Sequence, residues 1–113
     1  MSKVVDTKTI IVNLLKVDQK TYLSVKRLQE LIHFIYLELK EQCKLEAYQI
    51  SFDINFDAIE RTVLYNNRIF DLDIDGETIY LRETESVDQL AQRYQADDTI
   101  LEIIRVFGEE NVA

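Results

Sequence analysis

The sequence predicts an α+β domain. Two observations carry that expectation. Residues 25–42 repeat apolar side chains at helical spacing, and residues 69–81 alternate apolar and polar on both sides of Asp75-Gly76. The first pattern is the signature of an amphipathic helix and the second of a β-hairpin.

The elements follow in order. Asp6 or Thr7 can cap a first helix running to about Val17, with Ile10, Ile11, Leu14 and Leu15 on one face. Val17-Asp18-Gln19-Lys20 breaks the pattern, and Thr21-Tyr22-Leu23 favours a short strand. Ser24 then suits the N-cap of the main helix. Its stripe is Val25, Leu28, Leu31, Ile32, Ile35 and Leu39, while His33, Phe34 and Leu37 lie on the far side. A helix with two apolar faces needs a cover for the second. Residues 48–56 alternate strictly: Tyr48, Ile50, Phe52, Ile54 and Phe56 apolar, the residues between them polar. That predicts a strand with one buried face. Asn55 can also cap a helix in which Phe56, Ile59, Val63 and Leu64 recur, ending near Asn66-Asn67.

At Asp75-Gly76 the spacing predicts a two-residue turn with positive φ, pairing Leu72 with Ile79 and Phe70 with Leu81. Asp71, Asp73 and Asp75 then share the opposite face. Ser86-Val87-Asp88-Gln89 reads as a capping box for a short helix, and Asp97 or Asp98 caps a last one ended by Gly108. Helix, short strand, helix, helix and hairpin is the element order of a winged helix. The hairpin would be the wing, with the extra strand and the C-terminal helices as additions. The competing assignment makes residues 61–67 a strand, giving a four-stranded antiparallel meander with helices on one face.

A chain of 113 residues without a proline and with two glycines has no linker-like stretch, and residues 1–113 are read as one domain. At this length about 65% of the unfolded surface can be buried, so no metal or disulfide is needed for stability, and no cofactor is called for. The lone Cys43 and the absence of a signal-like or spanning apolar run predict a cytoplasmic protein with no membrane association. The net charge of −8 is unevenly spread. Residues 1–44 hold 8 basic and 5 acidic groups; the remainder holds 5 basic and 16 acidic. DNA is repelled by the second part and weakly attracted by the first.

Several motifs fail on chemistry. Asp71-x-Asp73-x-Asp75-Gly76 opens like a calcium loop, but the twelfth position is Arg82 rather than a bidentate Glu, and the flanks alternate like strands. Residues 86–105 resemble a DNA-binding helix-turn-helix, yet the second helix would open with Asp97 and Asp98 toward phosphates, which makes a structural helix pair the better reading. His33 and Cys43 are too few for a metal site, and on one helix they sit about 15 Å apart, too far for a nucleophile pair. No serine elbow and no phosphate loop is present, so no catalytic residue is assigned.

Residues 22–37, Tyr-Leu-Ser-Val-Lys-Arg-Leu-Gln-Glu-Leu-Ile-His-Phe-Ile-Tyr-Leu, resemble the opening of Panacea-type domains. Arg27-Leu28-Gln29-Glu30-Leu31-Ile32-His33-Phe34 fits the helix those domains carry. The family's Gly-Pro-Val segment has no counterpart. The resemblance implies a small prokaryotic, phage or mobile-element protein that neutralises another protein.

The functional expectation is a non-enzymatic protein-binding module. Its surface would be Asp71, Asp73, Asp75 and Glu77 of the hairpin, facing a basic partner, together with His33, Phe34 and Leu37 as a partner site or homodimer seam. The structural reading of that second face is coverage by residues 48–56 or by the C-terminal helices. The alternative function is a transcriptional regulator that binds DNA as a dimer through Lys20, Lys26 and Arg27.

Overall fold

In the computed structural model, which describes residues 3–52 and 55–110, the Asp6 carboxylate accepts the Thr9 N–H at 2.8 Å and starts helix α1, Thr7–Asp18. Ile10 to Leu15 are all buried, Asn13 among them. An apolar side chain on every side of a helix demands a neighbour on every side. Strand β2, Tyr22–Ser24, covers one side. Helices α4, Val87–Arg93, and α5, Asp98–Glu110, cover the others. Asn13 is accommodated because its amide donates to the Thr9 carbonyl at 2.8 Å and the Tyr94 carbonyl at 2.9 Å.

Ser24 caps helix α2, Val25–Glu41, through the Arg27 N–H. Leu28, Leu31, Ile32, Ile35 and Leu39 are its buried stripe, as the sequence spacing predicts. Helix α3, Phe56–Tyr65, starts at the Asn55 cap and packs on strand β4, Phe70–Leu72, through buried Ile59 and Val63. Leu64, expected on that stripe, is exposed. A helix at 56–65 excludes the four-stranded meander.

The strands form two small sheets. Strand β5, Thr78–Leu81, is central to an antiparallel sheet of order β2-β5-β4. Phe70 pairs with Leu81 and Leu72 with Ile79, the predicted register. Leu23, Phe70, Ile79 and Leu81 turn inward to the core. The second sheet is a parallel pair: β1, Lys3–Val5, beside β3, Tyr48–Ile50. Strand β1 is too short for an alternation to show in the sequence. Strand β3 stops at Ile50 where the alternation predicts a strand through Phe56. Asp53 and Ile54 lie outside the described residues, and Phe56 opens α3 instead, capped by Asn55.

Two local expectations change. The hairpin is not closed by a two-residue turn. Gly76 N–H bonds the Asp73 carbonyl at 3.0 Å, and the Asp73 carboxylate accepts the Glu77 and Thr78 N–H groups. A carboxylate that bonds the chain four and five residues on widens the turn without shifting the register. Nor does Gly108 end α5, which continues to Glu110. A Cβ at Gly108 would overlap Val17, so this glycine lets α5 approach α1 closely.

Gly76 has φ +71° and lies beneath the Phe56 ring, which a Cβ there would overlap. Gly76→Ala is expected to lower the unfolding free energy by about 1–2 kcal/mol in urea denaturation, from backbone strain at positive φ, while the half-exposed Phe56 ring shifts aside.

Candidate functional site

The acidic hairpin carries three side chains into solvent. Asp71, Asp75 and Glu77 are exposed, and Ile74 at the tip is fully exposed. Asp73, half-buried, is occupied in holding the turn, and Asp71 accepts the N–H of Leu72 at 2.9 Å. These carboxylates therefore do not converge as calcium ligands would. On the outer face of the sheet, Tyr22, Tyr80 and Asp71 form one row across the three strands.

The far face of α2 is divided. Phe34 packs against Phe107 of α5, with ring centroids 5.6 Å apart. Phe52 meets Tyr36 edge-on at 5.3 Å. A C-terminal helix and the segment after β3 thus cover parts of this helix, while His33 and Leu37 remain exposed. His33, Phe34 and Leu37 do not form one continuous apolar seam.

The three basic residues have unequal roles. Lys20 and Lys26 are exposed. Arg27 donates from Nε and Nη2 to the two Asp18 oxygens, both at 2.8 Å, and its guanidinium lies 4.9 Å from the Phe107 ring centroid. That bidentate pair, with side chains 23% and 10% exposed, joins the end of α1 to the start of α2.

One surface has no counterpart in the sequence reading. A cleft of about 790 Å³ lies between the β1–β3 ribbon and α3. Val4, Lys8, Gln49, Arg61, Tyr65 and Asn66 are among the residues that line it. Val4 is 74% exposed and Tyr65 86%. Phe56 and Leu64, which the sequence spacing puts on the apolar stripe of α3, are exposed, as is Tyr65.

The ribbon is anchored by Asp97. Its carboxylate accepts the Ile100 N–H at 3.0 Å, capping α5, together with the Tyr48 hydroxyl at 2.7 Å and the Lys3 ammonium at 3.0 Å. Partial burial by itself would raise the Asp97 pKa, but these donors outweigh it and hold the carboxyl below its ordinary value. Burial, then the bond to Asp97, pushes the Tyr48 phenol up. The sequence reading offered Asp97 as one of two caps for α5, without its two distant partners.

Among the described residues no helix is long and apolar enough to cross a membrane, and no group of three or more His, Cys, Asp or Glu side chains is placed to hold a metal. A scan of family models, a search of curated proteins and a search of solved structures each returned no match for the chain.

A carboxyl whose folded pKa is lowered stabilises the fold fully above its unfolded value, and that contribution falls away as pH drops through the folded one. D97N is therefore expected to be less stable at neutral pH and to lose less on acidification, in denaturant titrations from pH 7 downward. Arg27→Ala leaves the Asp18 carboxylate mostly buried and unpaired; it should cost about 2–4 kcal/mol of stability by the same method.

Proposed function

We propose that this chain is a non-enzymatic protein-binding module with a winged-helix-like core, whose acidic hairpin meets a basic surface on a partner protein. The winged-helix reading is supported by the succession α1, β2, α2, α3, β4, β5 and by the sheet order β2-β5-β4. In that build the hairpin is the wing and α3 stands where a recognition helix would.

The observation that carries the functional reading is the hairpin tip. A fully exposed isoleucine, Ile74, sits among Asp71, Asp75 and Glu77. An apolar side chain ringed by like charges offers burial at the centre and electrostatic steering at the rim. The same surface opposes DNA, and α3 adds Asp57 and Glu60 beside Arg61. The resemblance of residues 22–37 to Panacea-type domains, which fall on β2 and much of α2, adds an inhibitory, antitoxin-like role to this reading. The DNA-binding dimer draws on the same topology, but Arg27 is committed to Asp18, which leaves exposed Lys20 and Lys26 for phosphates.

The reading is tested by affinity capture of the full chain beside a triple variant, Ile74→Asp with Asp75→Lys and Glu77→Lys. A stoichiometric protein held by the wild type and lost by the variant is the expected result; no stoichiometric protein on the wild type ends the proposal. In a gel-retardation assay at low salt, where even nonspecific DNA binding registers, the chain is expected to give no shift.

A further inference from the structure

We propose that the cleft between the β1–β3 ribbon and α3 is a second interaction surface, one that takes an extended peptide segment bearing acidic side chains. The juxtaposition behind it is an incomplete parallel ribbon beside an open cleft that holds two cations without carboxylate partners. It does not depend on the role assigned to the hairpin.

The first line of support is the ribbon. Two three-residue parallel strands, Lys3–Val5 and Tyr48–Ile50, have no further strand among the described residues. Parallel ladders ordinarily lie inside larger sheets covered on both faces, and a two-stranded sheet alone is marginal. This one carries Val4 largely in solvent, and among the described residues neither of its strands pairs with a further strand. Edge groups of that kind template strand addition, in which main-chain bonds supply affinity and side-chain contacts supply choice.

The second line is charge. In a protein of net charge −8, the charged residues lining this cleft are two cations, Lys8 and Arg61, and one anion, Asp6. The Asp6 carboxylate caps α1 through the Thr9 N–H and keeps its charge. The Lys8 ammonium lies 4.3 Å from the Tyr94 ring centroid, and Arg61 reaches only the Asp57 carbonyl, at 3.4 Å. Neither cation has an ion-pair partner among the described residues. A strand with carboxylates on its α3-facing side would meet both, while the acidic hairpin would repel such a strand.

The test is to pan a random dodecapeptide library displayed on phage against the immobilised full chain, then to titrate the enriched peptides. Enrichment of sequences alternating β-branched and acidic residues is expected. Their binding should weaken about tenfold or more in Arg61→Glu and Lys8→Glu, persist in Arg61→Lys, and be unchanged in Asp75→Lys. Amide exchange of Val4, Val5 and Gln49 should slow on binding. Arg61 is exposed, so its variants should fold, as circular dichroism will check. The proposal is overturned by no enrichment, by enriched peptides without acidic residues, by affinity indifferent to Arg61→Glu, or by binding lost in Asp75→Lys, which would move it to the hairpin.

Discussion

Six consecutive buried residues in α1 impose the constraint on which the rest of the structure depends. A helix apolar on one stripe needs one neighbour; a helix buried all round needs a wall on each side. Here β2 and the two C-terminal helices supply the walls. The one polar group inside, the Asn13 amide, is tolerated because it bonds the carbonyl of Tyr94, just where α4 gives way to the loop before α5. A polar core residue thereby fixes how the C-terminal pair sits on α1. Gly108 sets the distance of approach on the same contact.

Where local chemistry decides, the sequence was readable. The caps at Asp6, Ser24, Asn55, Ser86 and Asp97 all accept a backbone N–H three residues on. The α2 stripe and the hairpin register follow from periodicity alone. What could not be read depends on partners far away in the chain. Strand β1 exists because Tyr48 to Ile50 lie alongside it, and three residues carry no period. Both α1 and α2 end through left-handed residues that are not glycine, Gln19 and Cys43, so their ends show in the sequence only as breaks in the apolar pattern. The alternation over 48–56 gives a strand only at Tyr48–Ile50, and the Asn55 cap puts Phe56 in a helix.

The candidate surfaces divide the same way. The acidic hairpin is visible because its charges are close together in sequence, whereas the turn bonds of the Asp73 carboxylate to Glu77 and Thr78 are not. Arg27 looked like a free cation because nothing local shows that Asp18, nine residues earlier, folds back to it. The cleft was invisible because its walls come from residues 4–8, 48–51 and 58–66, which no motif joins. In space, an acidic, apolar-tipped hairpin stands apart from a cleft whose charged lining is Asp6, Lys8 and Arg61, drawn from both parts of the chain.

The walls around α1 also set the order in which this protein can become folded. The helix made first is enclosed by helices made last, and Lys3 is tied to a carboxylate 94 residues downstream. During synthesis, α1 therefore emerges with apolar faces that have nothing of their own chain to rest on. The hairpin sheet can form earlier, because β2, β4 and β5 need no residue beyond 81. Closure of the core is then a late and cooperative event, governed by contacts of long sequence separation. The nascent chain is most exposed to misassociation just before residues 98–110 leave the ribosome.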